Sequence, residues 1–464
     1  MNNCYLAVDI GASSGRHIIG YLEDGRLKLK EVYRFENSME LDLGKRLWNV
    51  DRLFKEIKNG MAACKKAGFI PASMSIDTWA VDYVLLDGEG RAAGETFGYR
   101  DNRTSRMDEV VYETIPEPEL YKRTGIQKQI FNTIYQLTAD REKRPEVLKQ
   151  AKTFLMLPDY FQYRLTGVMK SEYTNASSTQ LVNPDTRQWD KELIELLRLP
   201  SDIFLPLEMP GTFVGELLPE VVNEVGFNTK VRLCASHDTA SAVMAMPKND
   251  GSIYISSGTW SLMGVELQDA LRDENSHSGN FTNEGGYDYR FRYLKNIMGL
   301  WMIQSVRHET KDAYSFAQLC EMAEDERDFP SRVDVNDSSF FAPLNMSEAI
   351  REYCKKTDQQ VPETIGQLST VVYQSLAESY GQTVKEIERN TGKAYDNICI
   401  IGGGANADYL NALTAKATGK AVTAGPTEAT AIGNMVAQLI AGKEIKDLKS
   451  AREIIASSFD IKNY

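Results

Sequence analysis

Residues 6–21 read LAVDIGASSGRHIIGY, an apolar strand that enters a tip rich in glycine and serine and leaves it as a second strand. The pattern recurs about half a chain later at residues 253–265, IYISSGTWSLMGV. Glycine and serine at such tips leave backbone N–H groups uncovered, and converging N–H donors form a nest that suits phosphate oxygens. The two hairpins predict a polyphosphate held between two related domains.

Taken singly, either hairpin is also what the turn preferences of glycine and serine produce without any ligand. The recurrence, together with Asp9 inside the first copy, favours a nucleotide site. Asp9 ends an apolar strand beside the first nest, where phosphate would repel its carboxylate unless Mg²⁺ lay between them, bound through water. The alternative role of Asp9 is to accept the N–H groups of the hairpin itself.

The chain has 464 residues, more than one hydrophobic core usually serves, and we expect two domains, residues 1–247 and 248–464. Residues 248–251, KNDG, are the predicted link. Strand patterns alternate with helical patterns in both halves, which indicates an α/β fold. A third strand at residues 27–35 predicts a three-stranded meander at the start of the first domain.

The composition of the chain is that of a globular protein and disfavours membrane and nucleic-acid-binding proteins. Hydrophobic residues make up 42% of the chain and charged residues 25%, as in ordinary globular proteins. No apolar run reaches the ~18 residues of a membrane span, and the first residues lack the pattern of a signal peptide. The formal net charge of −12 disfavours nucleic acid as a partner. We expect a cytoplasmic protein that binds neither nucleic acid nor membrane.

Cysteine usage agrees with that location. The six cysteines are widely scattered and include no C-x-x-C pair, so we expect reduced thiols rather than a zinc site or disulfides.

Two stretches of the first half carry further structural predictions. Asp51 is expected to cap a helix with Phe54, Ile57 and Met61 on its apolar face. Residues 173–184 are rich in asparagine and threonine, and we expect them to form loops around a cleft.

Asp238 is the candidate general base. It follows an apolar strand predicted at residues 231–235 and opens a helix, so its carboxylate is expected in a cleft. An aspartate there can take the proton of an acceptor hydroxyl and orient it towards the γ-phosphate of ATP. The alternative is an ordinary helix N-cap. The neighbouring His237 either hydrogen-bonds the substrate or serves the structure alone.

Residues 77–83, DTWAVDY, offer two carboxylates and the aromatic Trp79 at the end of a strand, a mixture that suits sugars. The alternative for Trp79 is a place in the core. Residues 402–407, GGGANA, formally fit the dinucleotide fingerprint G-x-G-x-x-[GA]. Their late position favours a different role, a glycine turn that lets the backbone approach adenosine or an α-phosphate at the start of a helix. The P-loop motif does not occur.

Seven stretches taken together resemble the FGGY carbohydrate kinases, and the resemblance spans nearly the whole chain. D-I-G-x-x-S and G-G-G mark only the wider actin-like ATPase superfamily, whereas H-D-T-A-S-A-V and I-D-T-W-x-V-D are more particular. The stretches are VDIGASSGR (8–16), IDTWAVDY (76–83), YRDNRT (99–104), ASHDTASAV (235–243), SSGTWSLMG (256–264), TNEGG (282–286) and LKNIMGLW (294–301).

The resemblance implies two ribonuclease-H-like domains of the actin, hexokinase and Hsp70 superfamily, with an interdomain cleft for ATP, Mg²⁺ and a sugar. The implied reaction transfers the γ-phosphate to the 1-hydroxyl of L-rhamnulose. The family's base falls on Asp238 and its sugar contacts on Ala80, His237, Asp238 and Thr239. Its ATP contacts fall on Ala12, Ser13, Ser14, Gly15, Arg16, Thr259, Asn296, Gln304, Gly402 and Gly403.

One position departs from the family pattern. Ala80 stands where the family commonly has glycine, and the added methyl group would either tighten the sugar pocket or shift the backbone. A kinase of another ketose, L-fuculose or D-xylulose, is therefore one alternative. A non-kinase actin-like ATPase is another, although it has no need of Asp238, His237 and the loop at residues 77–82. We expect a monomer or a weak homodimer.

Overall fold

A computed structural model describes residues 3–247, 251–341 and 343–464. The predicted link at residues 248–250 lies outside the described residues. The described residues form two compact units. Unit 1 comprises Met1–Ala245, Leu267–Tyr293 and Thr430–Ser458, and unit 2 comprises Met246–Glu266, Leu294–Ala429 and Phe459–Tyr464, in each case as far as they are described. The predicted domain boundary between residues 247 and 248 stays a prediction.

Strands are distributed along the whole described chain. In chain order they are β1 (Cys4–Ile10), β2 (Ser14–Glu23), β3 (Arg26–Glu36), β4 (Glu40–Asp42), β5 (Lys45–Leu47), β6 (Ser73–Thr78), β7 (Tyr83–Leu86), β8 (Thr153–Met156), β9 (Ser171–Glu172), β10 (Val182–Asn183), β11 (Gln188–Trp189), β12 (Leu207–Glu208), β13 (Phe213–Glu216), β14 (Lys230–Arg232), β15 (Ile253–Ser257), β16 (Trp260–Leu267), β17 (Thr282–Gly285), β18 (Phe291–Met298), β19 (Asn397–Ile401), β20 (Ala421–Ala424) and β21 (Lys462–Asn463).

Helices alternate with these strands, as the sequence predicts. In chain order they are α1 (Val50–Lys66), α2 (Met107–Tyr112), α3 (Glu117–Thr124), α4 (Thr133–Lys143), α5 (Pro145–Gln150), α6 (Leu157–Thr166), α7 (Tyr173–Ala176), α8 (Lys191–Leu196), α9 (Pro219–Val225), α10 (Asp238–Met244), α11 (Glu274–Ser278), α12 (Trp301–Glu309), α13 (Phe316–Asp325), α14 (Met346–Lys356), α15 (Ile365–Thr391), α16 (Asp408–Thr418), α17 (Ala429–Ala441) and α18 (Leu448–Ser458).

The main sheet of unit 1 is built around β1, all of whose residues are buried. Its strands lie in the order β13-β14-β6-β1-β2-β3. β1 pairs antiparallel with β2 and parallel with β6, and β2 pairs antiparallel with β3. The predicted meander is therefore confirmed. The parallel register sets Asp9 of β1 directly beside Asp77 of β6, at the ends of both strands.

The same strand order recurs in unit 2. Its sheet runs β18-β16-β15-β19-β20-β21, with residues 294–298 of β18 belonging to this unit. β15 pairs antiparallel with β16 and parallel with β19, as β1 does with β2 and β6. The repeat that the two hairpins predict is confirmed at the level of topology.

Helix α1 buries the predicted apolar face, including Phe54, Ile57 and Met61. The predicted cap was wrong by two residues. Asn49 accepts a hydrogen bond from the backbone N–H of Arg52 at 2.9 Å, while Asp51 lies in the first turn. Asparagine and aspartate cap helices about equally well, so the sequence alone does not separate them.

The prediction of loops at residues 173–184 was wrong. The segment forms α7, a further helical turn at Ser177–Thr179 and strand β10, and most of it is buried. Its hydroxyl groups turn inward: Ser177, Ser178 and Thr179 each donate to a backbone carbonyl three residues earlier, at 2.6–2.7 Å. Internal partners of this kind allow so polar a segment to be buried.

Two further predictions concern the chain as a whole. The six cysteines are free and five of them are buried, which confirms the prediction of reduced thiols. Within the described ranges, no helix combines the length and apolar character needed to cross a bilayer.

The close approach of α17 to Ser241 gives a testable prediction. A Cβ atom at Gly433 would fall on the backbone carbonyl of Ser241. Alanine normally stabilises a helix interior by about 0.5–1 kcal/mol relative to glycine. We expect the opposite sign here: Gly433→Ala should lower the free energy of unfolding by about 1–3 kcal/mol, the usual effect of overpacking.

Urea denaturation measures this change. Gly88→Ala is the matched control, since the nearest atom to a Cβ there is Cγ of Lys152 at 3.8 Å. A Gly433→Ala protein at least as stable as the unmodified chain would contradict the packing described for α17.

Candidate active site

Carboxylates gather where β1 and β6 end. Oδ2 of Asp9 accepts a hydrogen bond from Nε of Arg16 at 3.0 Å and forms an ion pair with Nη2 of Arg16 at 2.9 Å. Oδ2 of Asp77 accepts one from Nδ2 of Asn434 at 2.6 Å, and its buried Oδ1 has no hydrogen-bond partner among the described residues. Burial, with further contributions from Asp9 and Asp238, raises the pKa of Asp77 well above its usual range. This end of the sheet is therefore short of positive charge.

The buried carboxylate of Glu172 holds the segment that carries the candidate base. It accepts hydrogen bonds from the backbone N–H and hydroxyl of Thr174 and from the N–H of Asn175, at 2.7–2.9 Å. It also accepts from the N–H and hydroxyl of Ser236, at 3.2 and 2.7 Å. The carbonyl of Ser236 accepts in turn from the N–H of Thr78, at 3.0 Å. Residue 236 is thus fixed between α7 and the end of β6.

Asp238 is the first residue of α10, and His237 occupies the N-cap position, so the N-cap alternative for Asp238 was wrong. Oδ1 of Asp238 accepts from the N–H and hydroxyl of Thr239, at 2.5 and 3.1 Å, and lies 3.4 Å from Nε2 of His237. Oδ2 accepts no hydrogen bond from the described residues, and 34% of the side chain is exposed. One oxygen is held, and the other is open to a ligand.

The strand that leads to this segment is shorter than predicted. β14 ends at Arg232, and residues 233–235 continue as buried irregular chain. The backbone of Leu233 bonds instead to Gly211 and Thr212. An apolar run reports burial, and burial does not require that the run continue as a ladder strand.

The loop after β6 is tied down by the carboxylate of Asp82. It accepts hydrogen bonds from the indole N–H groups of Trp48 and Trp79, at 2.6 and 2.8 Å, and from Nε2 of Gln136 and the N–H of Tyr99, both at 3.1 Å. Burial raises the pKa of Asp82 to about 6, although these donors oppose the shift. Asp82 and Trp79 therefore support the loop from inside.

Between these anchors lies Ala80, which is half-buried. The next residue, Val81, has a φ of 69°, a region that β-branched residues rarely adopt. Its carbonyl accepts hydrogen bonds from the Thr133 hydroxyl at 2.7 Å and from Gln136 at 3.1 Å, which hold this conformation. These two hydrogen bonds stabilise this backbone conformation of the loop.

The tip of the first hairpin keeps its backbone donors available. Its carbonyls are used internally: Ser14 accepts from the N–H of Gly11 at 2.8 Å, and Ser13 accepts from the N–H of Asn37 at 2.9 Å. Among the described residues, the N–H groups of Ala12 and Ser13 have no acceptor. Gly15 and Arg16 follow in β2. Two backbone donors at this tip are therefore unused among the described residues, and the phosphate nest itself stays a prediction.

The second hairpin, in unit 2, is closed by a hydrogen bond from the N–H of Gly258 to the carbonyl of Trp260 at 2.9 Å. Helix α12 begins against it, because Leu300 and Trp301 donate to the carbonyls of Gly258 and Thr259, at 3.0 and 3.2 Å. Gln304 is one turn further along α12.

The glycine turn after β19 rests on the same hairpin. A Cβ at Gly402 would lie 3.1 Å from the carbonyl oxygen of Ser257, and one at Gly404 would fall on the Ser257 hydroxyl. Nothing lies within 4 Å of a Cβ built at Gly403. In β18, Oδ1 of Asn296 is buried without a hydrogen-bond partner among the described residues. Unit 2 therefore brings the second hairpin and the glycine turn together.

Sequence reasoning missed four residues of unit 1: Glu172, Glu284, Arg292 and Asn434. Each is buried and contacts a predicted site residue or its supporting segment. Glu284 lies within the quoted TNEGG stretch, and that was its only signal. The other three lie in stretches whose composition is ordinary.

Comparison with protein families gives two matches. Residues 4–245 match the N-terminal domain of the FGGY family of carbohydrate kinases, and residues 253–442 match its C-terminal domain. A rhamnulokinase of Halalkalibacterium halodurans is 51% identical, with 100% of this chain and 98% of that protein covered. A rhamnulokinase of Bacillus subtilis is 45% identical, with 99% and 94% covered.

Solved structures share the fold at low sequence identity. Gluconate kinase from Lactobacillus acidophilus aligns with a TM-score of 0.80 and 16% identity, over 99% of this chain and 93% of that one. Glycerol kinase from Plasmodium falciparum, solved with ADP, aligns with a TM-score of 0.77 and 14% identity, over 99% and 94%. The fold is the two-domain sugar and glycerol kinase fold that the motifs imply.

The Glu172 network gives a second prediction. Glu172→Gln replaces one carboxylate oxygen by an NH₂ group. The amide loses fewest hydrogen bonds when its NH₂ group takes the Oε1 position, because only the N–H of Thr174 donates to Oε1. That donor then loses its acceptor, and an unsatisfied buried donor costs about 1–3 kcal/mol. We expect the free energy of unfolding to fall by that amount in urea denaturation.

Glu220→Gln, at an exposed position, is the control and should change the free energy of unfolding by less than ~0.5 kcal/mol. Equal stability of the two variants would contradict the network.

Proposed function

The chain belongs to the FGGY family of carbohydrate kinases, and on this premise we propose that it transfers the γ-phosphate of ATP to the 1-hydroxyl of L-rhamnulose. The full-length similarity to two rhamnulokinases supports this substrate. The observation that carries the proposed chemistry is the Asp238 carboxylate, in which Oδ1 is held by Thr239 and Oδ2 is open.

In the proposed reaction Asp238 is the catalytic residue. Phosphoryl transfer asks little covalent chemistry of a protein, and its main needs are positioning and a group that accepts the hydroxyl proton. Oδ2 accepts the proton of the 1-hydroxyl. The hydroxyl oxygen forms a bond to the γ-phosphorus, and the bond between that phosphorus and ADP breaks. Since Ser236 is fixed by Glu172, the carboxylate is positioned before the sugar binds.

The sugar-binding residues in the proposal are Ala80, His237, Asp238 and Thr239. Ala80 is presented by a loop that Asp82 holds from inside, and the other three follow directly after the anchored Ser236. Two segments anchored in this way support selection of one sugar shape, because a shift of either would break the hydrogen bonds that hold it.

For ATP, the proposal uses two groups of residues. In unit 1 these are Ala12, Ser13, Ser14, Gly15 and Arg16, where unpaired N–H groups at the tip suit phosphate oxygens. In unit 2 they are Thr259, Asn296, Gln304, Gly402 and Gly403. Oδ1 of Asn296, which has no hydrogen-bond partner within the described part of the chain, supports a ligand there. That both groups contact one triphosphate stays a prediction.

Mg²⁺ is part of the proposal, with Asp9 as the residue that positions it through water. The fit rests on the buried Oδ1 of Asp77, which lacks a hydrogen-bond partner among the described residues and lies beside Asp9. Mg²⁺ commonly uses one or two carboxylates together with water and substrate phosphates. Bound there, it would neutralise phosphate charge during transfer. Within the described ranges, no group of three His, Cys, Asp or Glu side chains suited to a metal occurs.

We also propose a cytoplasmic location and a monomer or weak homodimer. Six free cysteines support a reducing compartment.

The role of Asp238 is tested by Asp238→Asn. The amide keeps the shape of the side chain but cannot accept the hydroxyl proton, so we expect turnover of L-rhamnulose to fall about 10²- to 10⁴-fold. ADP release measures turnover, while calorimetric titration with ATP should show unchanged affinity. Asp202→Asn, at an exposed position, is the control. Near-normal turnover in Asp238→Asn would remove this residue from the base role.

The substrate is tested by ADP release with L-rhamnulose, L-fuculose and D-xylulose side by side. We expect the highest kcat/KM for L-rhamnulose and little ADP release without sugar. A higher kcat/KM for one of the other ketoses would overturn the proposed substrate. ADP release at the same rate with and without sugar would instead indicate an actin-like ATPase.

A further inference from the structure

The ring of His237 lies between Asp238 and a buried ion pair formed by Glu284 and Arg292. His237 exposes 8% of its side chain, Glu284 9% and Arg292 none. Nδ1 of His237 lies 3.0 Å from Nη2 of Arg292 and 3.2 Å from Oε2 of Glu284. Nε2, on the other side of the ring, lies 3.4 Å from Oδ1 of Asp238.

These contacts select one tautomer of a neutral His237. The guanidinium of Arg292 can only donate hydrogen bonds, so its 3.0 Å contact requires Nδ1 to accept. The proton of the neutral ring is then on Nε2, where it faces an acceptor, Oδ1 of Asp238. The opposite tautomer could donate to Glu284, but it would set Nδ1–H against the guanidinium and a bare Nε2 against a carboxylate oxygen.

Glu284 anchors Arg292 in this position. Nη2 of Arg292 donates to Oε2 of Glu284 at 2.9 Å, and Nε donates to the carbonyl of Gly285 at 3.1 Å. Burial alone would raise the pKa of Glu284, but the charge of the adjacent Arg292 guanidinium lowers it below its usual value. Glu284 is therefore ionised at neutral pH and balances the charge of the buried guanidinium.

We infer, on the basis of the proposed function, that Arg292 is a positioning residue, which fixes the Nε2–H tautomer of His237 and thereby directs Oδ2 of Asp238 to the sugar. With this tautomer, Oδ1 accepts hydrogen bonds from the Thr239 N–H and the Thr239 hydroxyl, and the Nε2–H group of His237 lies 3.4 Å away. An oxygen that already accepts two hydrogen bonds beside a further N–H group is a poor proton acceptor, because protonation would require it to give up those interactions. The proton of the sugar is then left to Oδ2.

The tautomer is measured by long-range ¹H–¹⁵N correlation spectra of the whole protein labelled with ¹⁵N-histidine, at neutral pH and without ligand. The chain has four histidines, and the signal lost in His237→Gln identifies His237. We expect Nε2 to carry the proton and Nδ1 to be bare. A proton on Nδ1 of His237, in a neutral or a charged ring, would overturn the inference.

A double variant tests the part played by the ion pair. Arg292→Met with Glu284→Gln keeps the buried charge balanced and removes the donor to Nδ1. Oδ1 of Asp238 still favours the Nε2–H form, so we expect the Nδ1–H form of His237 to become populated beside it. The control, Arg103→Met with Asp140→Asn, removes the buried Arg103–Asp140 pair of unit 1, whose carboxylate also pairs with Arg144, and should leave the tautomer unchanged. An unchanged tautomer in a folded Arg292→Met, Glu284→Gln protein would contradict the role of Arg292. If that variant does not fold, the spectrum of the unmodified protein still shows which nitrogen of His237 carries the proton.

Kinetics separate positioning from a purely structural role. In the Arg292→Met, Glu284→Gln protein, kcat with L-rhamnulose should fall about 10- to 100-fold, as expected when a catalytic group is misplaced. The KM for ATP should stay within about twofold. A loss confined to KM for ATP would overturn the inference. Because the spectra need no turnover, failure of the proposed substrate and failure of the tautomer assignment give different results.

Discussion

The fully buried carboxylate of Glu172 is the constraint on which the rest of this site depends. It accepts five hydrogen bonds, three from the first residues of α7 and two from Ser236. Burying a charged group is costly unless donors surround it, and here the donors come from two segments that are distant in sequence. The hydrogen bonds to Glu172 therefore hold those two segments together, and they thereby fix the position of Asp238, two residues after Ser236.

Charge balance is the second theme of the site. Asp9 and Asp77 lie side by side because of the parallel register of β1 and β6. Burial, and after it the charges of Asp9 and Asp238, raise the pKa of Asp77. Arg16 pairs with Asp9, while Arg292 and Glu284 neutralise each other behind His237. A cation bound at this end of the sheet would stabilise the ionised form of Asp77, which agrees with the Mg²⁺ of the proposed reaction.

Patterns in the sequence predicted those parts of the structure that depend on residues close together in the chain. The hairpins, the meander and the apolar face of α1 are set by residues close together in the chain. The buried segment at residues 173–184 was not predictable, because its polar groups find internal partners only in the folded chain. The same holds for Arg292, which lies 55 residues from His237. A single sequence does not show which charged residues will be buried together, so contacts of this kind cannot be predicted from it.

The central claim is that Oδ2 of Asp238 faces the acceptor hydroxyl. A crystal structure of the protein with L-rhamnulose tests it most directly, through the distance between O1 of the sugar and Oδ2. We expect a hydrogen bond of about 2.5–3.0 Å between these atoms. A sugar whose O1 bonds to Oδ1 instead, or lies out of reach of both oxygens of Asp238, would contradict the claim.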